Sequence, residues 1–418
     1  MPCQSILLLA IIVLMKTVVI GAQWGDEGKG KIVDYLSEDS DIIVRFSGGA
    51  NAGHTIVANE EQYALHLIPS GALYKDKIVI LGAAMVIDPQ ALFDEIGMLS
   101  KRGIDTSGRV FISDRAHIVL PSYIALDKKL DAERKKPIGT TGRGIGVTYS
   151  LKSSRDSIRI ADLFWQDKID DLDSADKTFL NTYKDKLTAM SINLSAYLEA
   201  NKNKKVLFEG AQGALLDLDS GTYPYVSSGL SCAAGAAIGG CVGPRALDDI
   251  LGVFKAYSTR VGNGPFPTEF NENDKTQDEL CSYVRETGRE YGVTTGRPRR
   301  CGYLDLVALR YACISNSISS LVMTHIDVYD TLNEIKACTA YNINGKETTD
   351  FPSSIQALND AKPVLKTFTG WKQSLANAKD YSSLPKEAKT YIKFIEDYCQ
   401  TKISIVSVGA DRTQTLMR

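Results

Sequence analysis

The sequence predicts an α/β fold in which helices flank a mostly parallel central sheet. Three features of the 418 residues support this prediction: short apolar runs recur along the chain, helical patterns separate them, and a glycine-rich loop joins the first run to a helix. Helices between successive strands return the chain to the same end of the sheet, which favours parallel pairing.

Eight short runs are predicted to form strands. Each is rich in β-branched or aliphatic residues, as strands buried on both faces of a parallel sheet are. They are Thr17–Ile20, Ile42–Phe46, Lys77–Leu81, Val110–Ser113, Lys205–Phe208, Gly252–Ala256, Ser320–Thr324 and Lys402–Ser407.

Helices are predicted where apolar residues recur at helical spacing, as in Pro89–Lys101 and Leu304–Ser315. The longer stretch Asp162–Asn201 is interpreted as helices packed outside the sheet. No repeat, low-complexity tract or linker is evident, so residues 16–418 are expected to form a single domain with loop and helical insertions.

Residues 1–15 are interpreted as an N-terminal extension, either poorly ordered or arising from a start assigned too early, with Met15 as the true start. The apolar run Ile6–Met15 is too short to span a bilayer and follows no positively charged segment. Cleavage after it would also damage the first predicted strand. A secretory signal is therefore disfavoured.

Composition argues against several classes of protein. The formal charge is −2, from 48 basic and 50 acidic residues, so no basic excess indicates nucleic acid. The eight cysteines contain no CxxC pair and the four histidines show no ligand spacing, which disfavours structural zinc and a disulfide framework. We expect reduced thiols, a cytoplasmic location, and no membrane or nucleic-acid partner.

The segment Gly21–Lys31 (GAQWGDEGKGK) has the character of a phosphate-binding loop. A glycine-rich turn between a strand and a helix presents backbone N–H groups to anionic oxygens. It is not a strict Walker A motif, because Gln23 and Gly30 stand where glycine and Ser/Thr are required. Asp26 could supply an oxygen ligand to Mg²⁺ instead. The fold is therefore predicted to be P-loop-NTPase-like; the alternative is a tight turn needing glycine for its backbone alone.

Six motifs in order resemble the signatures of the adenylosuccinate synthetase family, from about residue 17 to the C-terminus. They are Gln23–Lys31, Gly48–Thr55, Ile138–Gly146, Phe208–Asp217 continued by Gly221–Tyr225, Ala256–Gly262, and Thr294–Arg300. The resemblance implies a carbon–nitrogen ligase that joins L-aspartate to inosine monophosphate (IMP). It uses GTP, releases GDP and phosphate through a 6-phosphoryl-IMP intermediate, and commits IMP to AMP in purine biosynthesis.

That chemistry needs a base for the N1 proton of IMP and positive charge for the transferring phosphoryl group. The resemblance makes Asp26 the base and an Mg²⁺ ligand, His54 the general acid, and Lys29 the contact to the phosphoryl group. Gly53 would give its carbonyl to Mg²⁺. The GTP site implied by the family comprises Gly25, Asp26, Glu27, Gly28, Lys29, Gly30, Lys31, Gly53, His54, Thr55, Arg299, His325, Ile326, Asp327, Ser407, Val408 and Gly409.

The resemblance also implies sites for the other two substrates. It makes the protein a homodimer in which Arg155 reaches the partner's IMP, and it places Arg260 and Val261 in another substrate loop. IMP would contact Asp26, Lys29, Asn51, Ala52, Gly53, His54, Thr141, Arg155, Gln212, Ser227 and Arg297. Aspartate would contact Val293, Thr294, Thr295, Gly296, Arg297, Pro298 and Arg299.

Three positions depart from the family pattern. Pro298 replaces a basic residue of some relatives, His325 stands where a lysine is common before the guanine-binding Asp327, and Ala410 replaces a common proline. Three other readings stay open: a GTP-binding switch or metallochaperone-like protein, a nucleotide-binding scaffold without turnover, and a variant that uses dGMP. The arginine-rich loop disfavours the first, the retained Asp26, His54 and Lys29 the second, and the acidic Asp26 the third.

Overall fold

The computed structural model describes residues 15–58, 61–135, 140–292 and 296–418. The predicted N-terminal extension therefore lies outside the described residues except for Met15. The strands are β1 Lys16–Gly21, β2 Ile42–Gly48, β3 His54–Ala58, β4 Glu61–Leu65, β5 Ile78–Ile87, β6 Val110–Ser113, β7 His117–Ile118, β8 Ser191–Ile192, β9 Val206–Gly213, β10 Asp249–Lys255, β11 Ser258–Arg260, β12 Arg300–Gly302, β13 Leu304–Asp305, β14 Ser320–Thr324, β15 Glu334–Ile343, β16 Lys346–Thr348, β17 Lys362–Thr369, β18 Lys402–Ser407 and β19 Thr415–Met417.

Helices cover much of the chain between these strands. They are α1 Lys29–Ser37, α2 Pro89–Lys101, α3 Pro121–Glu133, α4 Ile145–Ser154, α5 Gln166–Asp170, α6 Ser174–Met190, α7 Leu194–Ala200, α8 Ala234–Gly239, α9 Lys275–Thr287, α10 Leu306–Ser315, α11 Ile355–Asp360 and α12 Lys386–Cys399.

The central sheet confirms the predicted fold class. Its strand order is β19-β18-β14-β10-β1-β9-β2-β5-β6-β8, with β7 also paired to β5. All eight predicted strands lie in this sheet, and each of its described pairings is parallel except that of β18 with β19. The main change in length is at β5, which runs on to Ile87.

Both faces of the sheet are covered, because consecutive residues of its strands belong to different cores. Val18 and Ile20 pack in one cluster with Phe46 and Phe208, whereas Val19 packs in another with helix α1. Alternation with a period of two is what a pleated strand imposes. The all-apolar strands of the sequence are explained by burial on two sides.

Two predictions are corrected in detail. Asp162–Asn201 does form helices α5, α6 and α7, but it also contributes β8, which pairs with β6 at the sheet edge. The predicted helix at Leu304 begins at Leu306, because Asp305 is its N-cap and accepts a hydrogen bond from the Ala308 N–H at 3.0 Å. The antiparallel layer of β15, β16 and β17 was not predicted.

The parallel arrangement determines where a site can form. The loops after β1, β2, β9, β14 and β18 all leave the carboxyl end of the sheet, where open α/β folds bind ligands. Each of these loops carries residues of the substrate sites implied by the family resemblance. Among the described helices, none is long and apolar enough to cross a membrane.

The N-cap of α10 gives a prediction for stability. Burial raises the pKa of Asp305 to about 6, although Tyr341 donates a hydrogen bond to it at 2.6 Å. Because the pKa of Asp305 is raised in the folded state, the protonated group adds to the free energy of unfolding at low pH. This added stability is lost as pH rises through about 6. We expect Asp305→Asn, which keeps a capping oxygen, to gain up to about 3 kcal/mol over the unsubstituted protein between about pH 4 and pH 7.

Urea unfolding at several pH values measures this difference. Asp274→Asn is the matched control, because Asp274 caps α9 from an exposed position and its pKa is lowered by hydrogen bonds from Gln277. The control should show no gain as pH rises. The same pH dependence in both variants would contradict the assignment to a buried carboxyl group.

Candidate active site

The loop between β1 and α1 has the backbone of an anion-binding turn. Gly25, Asp26 and Gly28 have φ values of 89°, 60° and 84°, and Gly28 is the N-cap of α1. The left-handed region is easy for glycine and tolerated by aspartate, so the sequence suits this path. Lys29 and Gly30 follow in the first turn of α1.

A buried carboxylate holds this loop from inside. Glu27 accepts hydrogen bonds from the N–H groups of Gln23 at 3.1 Å and Gly25 at 2.8 Å. Its second oxygen pairs with the Lys29 ammonium at 2.5 Å. The side chain of Glu27 is fully buried, and that of Lys29 is 11% exposed. The turn is therefore fixed by charge-assisted hydrogen bonds, which are stronger than neutral ones.

Strand β9 approaches the loop so closely that no side chain fits between them. A Cβ on Gly213 would lie 2.3 Å from the Gln23 carbonyl oxygen, and a Cβ on Gly21 would lie 2.3 Å from the Glu27 carboxylate. These two glycines are register partners in β1 and β9. Gln212, a predicted IMP contact, precedes this gap with a φ of 57°.

Lys31 joins α1 to the segment after β18. Its ammonium donates to the Ser407 hydroxyl at 2.7 Å and to the carbonyls of Gly409 at 2.8 Å and Gln414 at 3.1 Å. Burial lowers the pKa of Lys31 to about 8, against the opposing effect of Asp327. Lys31 thus interacts with both predicted parts of the guanine site, through hydrogen bonds to Ser407 and Gly409 and through the charge of Asp327.

The turn after β14 carries the remaining predicted guanine contacts. His325 has a φ of 56°, and burial followed by the charge of Lys255 lowers its pKa to about 4. The imidazole is therefore neutral at pH 7 and cannot replace the charge of a lysine. Burial raises the pKa of Asp327. Ile326 and Val408 are buried, so only their backbones are available to a ligand.

Arg299 brings the predicted aspartate loop to the phosphate loop. Its Nε lies 2.7 Å from the Asp26 carboxylate and its Nη1 lies 2.9 Å from the Glu290 carboxylate. Burial lowers the pKa of Arg299, but Asp26 and Glu290 outweigh burial and raise it. Asp26 is one-third exposed, so its carboxylate is open to a ligand as well as to Arg299.

The loop after β2 is held at its base by Arg45. The buried guanidinium donates to the Gly49 carbonyl at 3.2 Å. Asn51, a predicted IMP contact, accepts a hydrogen bond from the Gly49 N–H at 3.2 Å. A buried arginine thus shapes the turn that presents Asn51.

The end of this loop leads into β3. The Ala52 carbonyl lies 2.9 Å from the His66 Nδ1, and the same ring lies 3.2 Å from where a Cβ on Gly53 would be. His54 and Thr55 begin β3, which pairs with β4. The structure describes the backbone of these two residues and not their side chains, so the acid role of His54 stays a prediction.

Other predicted IMP contacts lie around helices α4 and α8. Thr141 is exposed before α4, and Arg155 is exposed at the C-cap of the same helix with a φ of 74°. Arg143 of the same loop donates to the Ala50 carbonyl at 2.6 Å, which ties it to the loop after β2. Ser227 is half-buried, and its backbone N–H donates to the Leu216 carbonyl at 2.8 Å.

The predicted aspartate loop is described from both ends. Gly296 has a φ of 63°, and the Gly292 N–H donates to the Arg297 carbonyl at 2.8 Å, which joins the two described ends. Arg297 and Pro298 are exposed. Val293, Thr294 and Thr295 lie outside the described residues, so their predicted contacts stay predictions.

Arg260 belongs to the neighbouring motif, but its guanidinium is committed to the protein. It is buried and donates to the carbonyls of Pro265 and Tyr225, both at 3.0 Å, and to the Thr222 hydroxyl at 3.1 Å. It also lies over the Trp24 ring. The described contacts of Arg260 therefore stabilise the loop. Val261, the next residue of the motif, is exposed at the surface.

Three residues of the site were not singled out individually from the sequence: Glu290, Lys255 and Tyr257. They are buried and joined to one another, and Glu290 binds Arg299. Tyr257 lies within one of the six motifs, whereas Lys255 reads as the end of a strand. Glu290 stands four residues before the aspartate loop, and only its spacing from that loop could have drawn attention to it.

The fold and the loop define a nucleotide-binding α/β enzyme. The turn at the start of α1 carries Lys29 and the partly exposed Asp26, and Arg299 reaches it from another loop. Such residues are typical of enzymes that transfer phosphoryl groups, because this reaction depends on positioning the substrates and on stabilising the negative charge of the transferring group. Among the described residues, no group of three or more His, Cys, Asp or Glu could by itself enclose a metal ion.

Comparison with known proteins narrows this class to a family. The family model described as adenylosuccinate synthetase matches residues 18–416. The adenylosuccinate synthetase of Clostridium novyi is 48% identical over 425 residues, which cover 96% of this chain and 98% of that one. That of Thermodesulfovibrio yellowstonii is 44% identical over the same shares. The chain belongs to the adenylosuccinate synthetase family, whose members join aspartate to IMP using GTP.

Solved structures agree with this assignment. The fully ligated adenylosuccinate synthetase of Plasmodium falciparum superposes with a TM-score of 0.89 at 38% identity, covering 96% of this chain and 99% of that one. A cyanophage S-2L succinoaminodeoxyadenylate synthetase gives a TM-score of 0.64 at 17% identity, which indicates a shared fold alone. The switch and metallochaperone alternatives are therefore not favoured.

The glycine gap between β1 and β9 gives a second prediction. Gly213→Ala should push the phosphate loop outward, because its Cβ would meet backbone and carboxylate atoms within 2.5 Å. We expect a loss of about 1–3 kcal/mol in unfolding free energy and a much weaker affinity for Mg-GTP. Calorimetric titration with Mg-GTP and urea unfolding measure the two effects.

Gly243→Ala is the control for this prediction. Gly243 has an ordinary φ of −70°, and an added Cβ there has no described atom within 4 Å. The control should bind Mg-GTP as the unsubstituted protein does. Normal affinity in Gly213→Ala would show that the loop tolerates displacement and that the close approach is not required.

Proposed function

We propose that this chain converts IMP and L-aspartate to adenylosuccinate, with hydrolysis of GTP to GDP and phosphate, through the residues described above. The observation that carries the proposal is the meeting of two motifs at one point: Asp26 of the phosphate loop, which also carries Lys29, lies 2.7 Å from Arg299 of the predicted aspartate loop. A nucleotide switch has no need of an aspartate loop. A ligase needs both, because the phosphoryl donor and the amino acid must meet the same purine.

The difficulty of the reaction lies in the 6-oxygen of IMP, which is a poor leaving group. Asp26 would remove the N1 proton, so that the 6-oxygen attacks the γ-phosphoryl group of GTP. Lys29, turned from Glu27 toward the phosphate, would stabilise charge on the transferring group, and His54 would act as the acid. The amino group of aspartate would then displace phosphate from the 6-phosphoryl-IMP.

The residues present suit an Mg²⁺ ion. This ion is commonly held by one or two carboxylates together with substrate phosphates and waters. The partly exposed Asp26 carboxylate lies within a phosphate-binding turn, which matches that donor set. Asp26 and the Gly53 carbonyl would hold Mg²⁺, which would neutralise charge on the GTP phosphates.

Substrate selection would follow from the surrounding loops. Asp327 would accept hydrogen bonds from guanine, with Ser407–Gly409 on the other side of the base. Arg297 and Arg299 would bind the carboxylates of aspartate and neighbouring phosphate, since guanidinium groups bind two oxygens at once. The seven cysteines of the described residues are free thiols, which supports a cytoplasmic location for this chemistry.

A product assay tests the proposal and its nucleotide. The protein is incubated with IMP, aspartate, Mg²⁺ and either GTP or ATP, and adenylosuccinate is followed by its ultraviolet absorbance. We expect product with GTP and little with ATP, because Asp327 accepts from donors that adenine lacks. Product with ATP would refute the assignment of guanine selection to Asp327, and no product with either would refute the ligase.

We further propose that the active form is a homodimer in which Arg155 completes the partner's IMP site. Arg155 is exposed at the end of α4, in a left-handed turn that points the chain away from the helix. Its described hydrogen bonds are local, to Ser154 and Lys152. Only the Nε of the guanidinium is used in the contact with Ser154, and the two terminal nitrogens have no described partner, so they can serve a second copy of the chain.

Complementation between inactive variants tests this sharing. Asp26→Ala and Arg155→Ala should each lose most activity while keeping their thermal stability. Mixing them should restore up to about a quarter of the activity per site, because hybrid dimers contain one intact site. Arg134→Ala, at another exposed helix end, should be active by itself. No recovery after verified subunit exchange would contradict a shared site.

A further inference from the structure

Behind Arg299 lies a buried cluster of charges, formed by Glu290, Lys255 and Tyr257. The Lys255 ammonium lies 2.5 Å and the Tyr257 hydroxyl 2.6 Å from one oxygen of Glu290. Arg299 takes the other oxygen at 2.9 Å. The side chains of Lys255 and Glu290 are 1% and 0% exposed.

Stability gives no reason for this cluster. Taking an ammonium and a carboxylate out of water is costly for each ion, and a pair of apolar residues often replaces such a pair without loss of stability. Burial alone would raise the pKa of Glu290, but its neighbours, Lys255 first, lower it to about 2. A full negative charge is thus kept in the interior at the back of the site.

Glu290 holds Arg299 twice. Besides the side-chain contact, the Arg299 N–H donates to the Glu290 carbonyl at 2.8 Å. The opposite edge of the guanidinium faces Asp26 at 2.7 Å. Asp26 is also proposed to accept the N1 proton of IMP and to bind Mg²⁺. When Asp26 contacts IMP and Mg²⁺, Glu290 is the carboxylate that still holds Arg299 at the phosphate loop.

The cluster also reaches the predicted guanine side. The Tyr257 hydroxyl lies 3.3 Å from the His325 Nδ1. Burial and Glu290 raise the pKa of Tyr257 well above its usual value, so the hydroxyl keeps its proton. Since that proton goes to Glu290, the hydroxyl oxygen accepts from His325, whose ring proton is then on Nδ1.

We propose that Glu290 is a positioning residue for GTP, which fixes Arg299 beside the phosphate loop. The inference rests on the proposed function, in which Arg299 contacts the nucleotide. Glu290 itself is buried and touches no substrate. Its removal should therefore impair the use of GTP through Arg299, while binding of IMP is changed little.

A double-mutant cycle between Glu290→Gln and Arg299→Met tests this dependence, with kcat/KM for GTP and KM for IMP as readouts. Glu290→Gln keeps the size of the side chain and removes its charge. In the unsubstituted protein, we expect Glu290→Gln to lower kcat/KM for GTP by about tenfold or more. In the Arg299→Met background, the same substitution should lower it by less than about twofold. The KM for IMP should change by less than about threefold.

A second variant guards against a simple folding defect. Lys255→Met/Glu290→Gln removes both members of the buried ion pair, so it leaves no unpaired charge in the interior. It should melt close to the unsubstituted protein and still lose the same factor in kcat/KM for GTP. Glu272→Gln, whose carboxylate pairs with Arg285 at the surface, is the control and should leave all constants unchanged.

Three results would overturn the inference. Equal losses in both Arg299 backgrounds would show that Glu290 acts on stability or through another route. Unchanged use of GTP in the folded double variant would show that the cluster has no part in positioning. Normal use of GTP by Arg299→Met would refute the role of Arg299 itself, and an unsubstituted protein without activity would instead refute the proposed function.

Discussion

The site depends on a gap shared by two adjacent strands. Gly21 and Gly213 face each other across β1 and β9, and the space left by their missing side chains is taken by the carboxylate of Glu27. That carboxylate organises the N–H groups of the turn and holds Lys29. Close packing at the sheet and the shape of the phosphate loop are therefore one constraint. A side chain at Gly21 or Gly213 would have to displace the loop or the strands.

Much of the fold followed from the sequence for one physical reason. Strands buried on both faces must be almost wholly apolar, so their runs stand out, and the boundaries at Val110–Ser113, Ser320–Thr324 and Lys402–Ser407 agree with β6, β14 and β18. The two-residue β8 and the antiparallel β15–β17 layer were missed. A strand of two residues has no period, and the residues of β15 alternate only weakly, since pairing and packing across the chain determine them.

The candidate site was also predicted only in part from the sequence. The residues predicted to bind anions lie in motifs with a visible local pattern, and the loops of Gly25–Lys31, His325–Asp327 and Ser407–Gly409 do converge at the carboxyl end of the sheet. Glu290 and Lys255 had no such pattern, because their significance comes from a contact between residues 35 positions apart. A local motif predicts which residues contact a ligand, but it does not predict which buried residues support them.

The backbone at Asp26 has a consequence for how this enzyme could change over time. A φ of 60° is readily adopted by glycine, asparagine and aspartate, whereas longer or branched side chains are strained there. Of these three residues, only aspartate can accept a proton at neutral pH. Glutamate would keep the acid but would enter a backbone region it seldom occupies. The turn thus restricts variation at position 26: of the residues that suit its backbone, aspartate alone keeps the proposed base, whereas glycine or asparagine would keep the backbone without it.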